Sequence, residues 1–162
     1  MRNCRFGFLV RVIMKSRLVT REAGQRTFVL VLDPDEEAAS AINEFATREG
    51  IGAASLTAIG AFKRATTGWF DVASKVYRKN VVPDQCEVLS LVGDIAVGDD
   101  GKPAVHVHVV LGMRDGSTRG GHFLDGIVNP TLEVTVVESP AQLRRRSRPE
   151  IGLALIDIEA SS

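Results

Sequence analysis

The alternation of valine and histidine in the segment AVHVHVV, residues 104–110, constrains the fold more than any other feature of this chain. Side chains of a β-strand point alternately to opposite faces of the sheet, so His106 and His108 share one face and the valines between them share the other. The segment is therefore predicted to be a strand with one apolar face and one imidazole face. His122, the remaining histidine of the three in the chain, follows two consecutive glycines.

The position of His122 relative to the other two histidines depends on the turn between them. Residues 114–116 suit a three-residue hairpin loop that ends in a left-handed glycine, which pairs Met113 with Ser117 and sets His108 opposite His122. A two-residue Asp-Gly loop shifts the pairing by one residue and sends His122 to the other face. The three imidazoles converge only in the first register.

Three converging neutral imidazoles are the ligand set of an open zinc site, in which a fourth position remains for water or a small-molecule ligand. Nickel, copper or iron suit the same nitrogens, so the sequence predicts a divalent metal, with zinc as the first expectation. The simpler alternative is a polar histidine patch on a solvated sheet face. All three histidines of the chain, His106, His108 and His122, lie in this one region. Because chance clustering of all of them is the less favoured explanation, the metal site is the favoured hypothesis.

The same residues resemble the PPC domain, a domain family of plants and prokaryotes. The resemblance extends over roughly residues 27–140, and several ordered blocks carry it. These are His106-x-His108 with Gly120-Gly121-His122, Ala58-Ile59-Gly60-Ala61, the block from Glu87 to Gly93, and Glu133-Val134-Thr135-Val136.

The resemblance implies a single α+β domain with a twisted, largely antiparallel sheet and few helices, assembled as a homotrimer. In prokaryotic members the motif histidines resemble a metal site, which maps onto His106, His108 and His122. Plant members join such a domain to AT-hook segments that bind the minor groove of DNA. The resemblance thus suggests DNA as a partner. This chain has no Arg-Gly-Arg-Pro core, so the DNA-binding role of the family transfers poorly to it.

Composition is that of an ordinary globular protein of one domain. Lysine plus arginine and aspartate plus glutamate number 20 each, so no overall positive field attracts a phosphate backbone. No segment approaches the roughly 20 apolar residues of a membrane span, and two distant cysteines fit a reduced, cytoplasmic setting. We expect residues 1–24 to be an N-terminal extension and residues 25–162 the domain, with Met1 and Met14 as alternative starts.

A helix is predicted directly after a buried strand at residues 27–32. Asp33 is the expected N-cap, Pro34 suits the first helical position, and Glu36 completes a capping box. Gly50 is the expected stop. The helix should bury one apolar face, formed by Ala38, Ala41, Ile42 and Phe45. Further strands are predicted at residues 53–62, 66–72, 87–97, 104–113, 118–128 and 132–138.

Glu87 is the candidate catalytic residue. A turn at residues 99–101 would join its strand to the histidine strand, so Glu87 could lie near the imidazoles and act on a metal-bound water as a general base. A structural hydrogen bond or an intersubunit contact is the more ordinary role for such a residue.

Two other features have a functional and a structural interpretation. Cys86 could be a thiol nucleophile, but a buried small apolar residue is the favoured interpretation. The basic cluster Arg144-Arg145-Arg146-Ser147-Arg148 could bind phosphates or an acidic partner, or could be a solvated loop.

Three functions are therefore open: a metal-binding homotrimer with a binding or regulatory role, a metal-dependent enzyme acting on a small molecule, and a trimer that the metal only stabilises. The first is the leading interpretation, with DNA as the partner suggested by the resemblance.

Overall fold

The computed structural model describes residues 14–161. The expectations for residues 1–13, which include a start at Met1 and the cysteine at residue 4, lie outside the described residues. Within the described part, one helix and nine strands occur. In chain order they are β1 Lys15–Glu22, β2 Gln25–Leu32, α1 Ala38–Glu49, β3 Ala53–Asp71, β4 Val76–Val82, β5 Cys86–Val97, β6 Pro103–Gly112, β7 Thr118–Glu138, β8 Arg145–Arg148 and β9 Leu153–Ile156.

Seven strands form one antiparallel sheet in the order β1-β2-β7-β6-β5-β3-β4. An additional pairing of β7 with β3 closes a ring of hydrogen-bonded strands through β5 and β6. Strands β8 and β9 form a separate hairpin. The chain is therefore a single α+β domain with a largely antiparallel sheet and little helix, as predicted.

The core lies between α1 and the inward faces of the strands. Phe45 of α1 meets Phe28 of β2 edge-on, with ring centroids 5.2 Å apart. Val107 and Val109, the apolar face of the histidine strand, are buried in this core. Burial of one face thus forces His106 and His108 to the other face. None of the described helices has the length and apolarity needed to cross a bilayer.

Helix α1 ends as predicted and begins later than predicted. Gly50 adopts the left-handed conformation at the C-cap (φ +66°). The N-cap, however, is Glu37, whose carboxylate accepts from the backbone N–H groups of Ala39 and Ser40. Asp33 and Glu36 do form the expected hydrogen bond, but within a preceding turn. The prediction of Asp33 as the N-cap is therefore wrong, because Asp35 has positive φ (+69°) and interrupts the helical backbone.

We expect Glu37→Ala to lower the free energy of unfolding by about 1 kcal/mol, the usual cost of removing an N-cap side chain. The carboxylate also accepts from the N–H of Gly126, so the loss includes one contact between α1 and β7. Urea denaturation measures the change. Asp33→Ala is the matched control and should cost less; the reverse order would contradict the observed cap.

The two longest strands run through the predicted breaks. Strand β3 joins the predicted segments 53–62 and 66–72, and β7 joins 118–128 and 132–138. Their mutual pairing skips several residues near Phe62 and Val128, so the strands bend at irregularities instead of ending. The prediction of two separate strands in each of these regions is therefore wrong, because bulges accommodate the turn-forming residues inside one long ladder.

Strands β1 and β4 were not predicted. All residues of β1 are exposed, and most of β4 is exposed, so neither carries the alternation of apolar and polar residues that marks a half-buried strand. Strand β1 lies within the expected N-terminal extension, and the expected boundary at residues 24 and 25 falls at its turn into β2.

Candidate metal centre

The hairpin between β6 and β7 has the three-residue loop that brings the histidines together. The N–H of Met113 donates to the carbonyl of Ser117 at 2.8 Å, and Gly116 is left-handed with φ +82°. His108 is paired directly with His122 in the resulting ladder. The predicted register is confirmed.

The three imidazoles face one another across two strands. Ring centroids are 5.3 Å apart for His106 and His108, 5.1 Å for His106 and His122, and 5.4 Å for His108 and His122. His108 is exposed, whereas the other two rings are half-buried. One side of the cluster is thus open to a ligand from solvent.

The cluster fits the requirements of a metal ion. One ring nitrogen from each histidine lies within 4.8 Å of the others. Tetrahedral zinc with Zn–N bonds of about 2.1 Å places its ligand nitrogens about 3.4 Å apart, so small side-chain rotations suffice. Nδ1 of His122 is buried without a hydrogen-bond partner among residues 14–161, which is costly for a polar atom. An ion or an ordered water among the rings would relieve that cost.

The electrostatics of the cluster favour neutral imidazoles, the form that offers lone pairs to a metal. Burial first, and then the charges of the neighbouring histidines and Arg145, lower the pKa of His122 to about 4. Burial, and then Arg145, also lower the pKa of His106 below its ordinary value. At neutral pH these two rings are therefore unprotonated.

Asp94 and Arg145 form a second layer behind His106. Asp94 is paired with His106 across the β5–β6 ladder, and its Oδ2 lies 4.0 Å from Nδ1 of that ring. Arg145 donates through Nη2 to Oδ1 of Asp94, and the same Nη2 lies 3.2 Å from His106 Nδ1. Neither residue was predicted from the sequence. The register of the hairpin at residues 99–101 could have indicated Asp94, whereas no local signal indicates Arg145.

An aromatic wall flanks the cluster at His122. The ring of Tyr77 on β4 stacks on His122 with centroids 4.8 Å apart, and it also contacts Phe70. Gly68 lies opposite His122 in β3, and a Cβ there would come within 2.7 Å of the Tyr77 ring. The absence of a side chain at residue 68 therefore gives Tyr77 its place beside the histidine. Sequence reasoning missed this wall because β4 itself was not predicted.

The hairpin at residues 99–101 does join β5 to β6, but Glu87 does not lie beside the histidines of its own chain. It pairs with Gly112, four residues beyond His108 along β6. At about 3.3 Å per residue this separates the two positions by about 13 Å. The expectation that Glu87 lies near the imidazoles is wrong within one chain, because Glu87 lies at the end of the β5–β6 ladder that is far from the histidines. Asp94 occupies the place beside His106 instead.

Cys86 is a core residue. Its side chain is buried, and burial raises the pKa of the thiol above its ordinary value, with the charge of Glu87 adding to the effect. A buried thiol that resists ionisation is a poor nucleophile, which favours the structural interpretation.

The basic cluster at residues 144–148 is largely ion-paired. Arg145 binds Asp94, Arg146 lies 3.1 Å from Asp99, and Arg148 lies 3.1 Å from Asp157. The first two pairs attach β8 to β5 and to the turn that follows it, and the third links β8 to the residue after β9. Because carboxylates already neutralise these three guanidinium groups, the cluster is a weak candidate for binding phosphates.

Comparisons with known proteins agree with the fold. The sequence matches the Plants and Prokaryotes Conserved (PCC) domain family over residues 19–140. Among solved structures, a candidate DNA-binding protein from Bacteroides thetaiotaomicron is 25% identical, with a TM-score of 0.82, over 91% of this chain and 99% of that one. No curated protein is a significant match.

Two archaeal structures are also similar. A plant- and prokaryote-conserved (PPC) protein from Pyrococcus horikoshii is 29% identical, with a TM-score of 0.77, over 92% of this chain and 97% of that one. A metal-containing protein from Archaeoglobus fulgidus is 33% identical, with a TM-score of 0.75, over 90% of this chain and 98% of that one. With a family match that spans more than half of its length, the chain belongs to the Plants and Prokaryotes Conserved domain family.

Proposed function

We propose that this protein binds one divalent metal ion per chain, with zinc as the first expectation, through His106, His108 and His122, and that it acts as a homotrimer in a binding or regulatory role. The convergence of three ring nitrogens within 4.8 Å is the observation that carries the proposal. The similarity to a metal-containing protein supports it. Three neutral imidazoles leave one tetrahedral position for water or a small ligand.

The exposed apolar face of the sheet supports assembly. Ile59, Leu89 and Val92 are 61%, 52% and 47% exposed, and they line one shallow surface groove. A cluster of exposed apolar side chains is more often an interaction site than a face that stays in contact with water. We assign this groove to the contact between subunits, in keeping with the homotrimer that the family resemblance implies.

DNA is the partner that the relatives suggest, since two similar solved structures are described as candidate DNA-binding proteins. The charges of this chain give it limited support. The net charge is zero, and three arginines of the basic cluster are paired with carboxylates. Any affinity for duplex DNA should therefore be weak and should fall steeply as salt is raised.

A metal-dependent enzyme acting on a small molecule is the second candidate. It is favoured by the open side of the histidine cluster and by the groups that flank the cluster. Tyr77 stacks against His122, and the charged pair of Asp94 and Arg145 lies against His106. A metal at this place would activate a water molecule or polarise a ligand oxygen. Glu87 is too distant to serve as the base within one chain, so this function would need a base from Asp94, the ligand or another subunit.

Native mass spectrometry of the untagged protein tests the proposal, because one spectrum gives the subunit count and the bound metal. We expect a trimer carrying about one zinc per chain after incubation with zinc, and a metal-free protein for His106→Ala. A species that stays metal-free with zinc present would overturn the metal site, and a monomer would overturn the assembly.

A further inference from the structure

The hairpin of β8 and β9 lies outside the residues that match the family and reaches the histidine cluster. The N–H of Val97 donates to the carbonyl of Leu143 at 2.8 Å, and the N–H of Ser147 donates to Asp99 at 2.9 Å. These contacts hold the start of β8 against the end of β5. Arg145 is thereby directed toward His106.

Arg145 is a buried cation whose hydrogen-bond donors are only partly satisfied. Its side chain is 7% exposed, it binds Asp94 through Nη2, and it donates through Nη1 to the carbonyl of Ala154 at 3.3 Å. Nε is buried and has no partner among the described residues. A buried charge of this kind is retained only where a carboxylate compensates it, which here is Asp94.

The contact between Arg145 and His106 has a chemical consequence for metal binding. A guanidinium group has donors only, so His106 Nδ1 must supply the lone pair in this contact. In the neutral ring the proton then resides on Nε2. A metal ligand also needs a lone pair, so ligation through either nitrogen requires this contact to be released or the proton to move.

Asp94 supplies the opposite influence. Metal-bound histidines commonly donate the N–H of their other ring nitrogen to a carboxylate, which fixes the ring and raises its basicity. Oδ2 of Asp94, at 4.0 Å from His106 Nδ1, is the acceptor within reach once Arg145 withdraws. Charge acts in the same directions, since a carboxylate attracts a dication and a guanidinium repels it.

We propose that Asp94 and Arg145 are positioning residues with opposed effects on the metal site: Asp94 strengthens and Arg145 weakens divalent metal binding through His106. The C-terminal hairpin thereby sets the metal affinity of the histidine cluster. This inference rests on the proposed metal function, and it adds residues that a three-ligand site does not require.

The test measures zinc affinity at fixed pH by competition with a chromogenic chelator. Arg145→Met keeps much of the side-chain volume and removes the charge, so we expect affinity to rise about tenfold. Arg145→Lys keeps the charge and should restore affinity close to that of the wild type. Asp94→Asn should lower affinity about 10- to 100-fold, as loss of a carboxylate behind a metal-bound histidine does.

Arg148→Met is the matched control in the same hairpin. It removes an ion pair with Asp157 without touching the histidines and should leave zinc affinity unchanged. Thermal unfolding of each metal-free variant reports whether the hairpin remains folded. Since Asp94→Asn leaves a buried arginine unpaired, the double variant Asp94→Asn/Arg145→Met provides a second comparison, with an affinity between those of the two single variants.

The absorption spectrum of bound Co²⁺ gives a readout that a purely structural role would not change. We expect the visible bands to shift in Arg145→Met and Asp94→Asn and to stay constant in Arg148→Met. Unchanged or weaker zinc binding in Arg145→Met, with wild-type protein binding zinc through its histidines, would overturn this inference alone. Failure of the wild type and all variants to bind metal would overturn both the inference and the proposed function.

Discussion

Replacing His108 by alanine is expected to abolish high-affinity zinc binding while the protein stays folded. His108 is the central ligand candidate, paired with His122 and 5.3 Å from the ring of His106. Its side chain is exposed, so its removal leaves no cavity in the core. Loss of a ligand should lower affinity by more than the roughly 100-fold that loss of a supporting carboxylate can cost.

Zinc competition titration measures the affinity of His108→Ala, and circular dichroism with thermal unfolding measures the fold. Val110→Ala is the matched control, because Val110 lies two residues further along β6 and is also exposed on the outer face. We expect it to keep wild-type affinity. Zinc binding by His108→Ala at wild-type strength would reduce the histidine cluster to a polar surface patch.

Replacing Gly93 by alanine is expected to destabilise the sheet by about 3 kcal/mol, at the upper end of the usual cost of overpacking. Gly93 is opposite Val107 in the ladder between β5 and β6. A Cβ at residue 93 would lie 2.0 Å from the carbonyl oxygen of His106 and 2.7 Å from the Cα of Val107. Since backbone atoms cannot rotate away, β6 must move, and His106 with it.

Urea denaturation gives the loss of stability of Gly93→Ala, and zinc titration shows whether the shift of β6 also weakens the site. Gly52→Ala is the matched control. A Cβ at residue 52 would meet only side-chain atoms, the nearest at 3.4 Å, so we expect little change in stability or zinc affinity. Equal stability of the Gly93 and Gly52 variants would contradict the close approach of the two strands.

Local patterns predicted the elements whose boundaries depend on nearby residues. Gly50 ends α1 because a left-handed residue needs no distant partner, and the loop at residues 114–116 sets its own register. The same patterns placed the N-cap at Asp33, because capping preferences do not show that residue 35 leaves the helical region.

Long-range pairing accounts for most of what sequence patterns missed. Exposed strands such as β1 and β4 carry no periodic burial, and their strand conformation is stabilised by hydrogen bonds to neighbours that lie in the sheet. The merging of predicted strands into β3 and β7 has the same origin. Each half alone ends at turn-forming residues, and their mutual ladder continues past them.

The sequence by itself determined that His106 and His108 share one face and that His122 joins them if the loop has three residues, because strand alternation and loop length are local features. The structure has the three-residue loop. Only the tertiary structure decided what surrounds the three histidines. Arg145 meets Asp94 across 51 residues of sequence, and Tyr77 reaches His122 from a strand that packing alone places there. Backbone geometry specifies contacts within a hairpin, whereas contacts between distant segments depend on how the whole core packs.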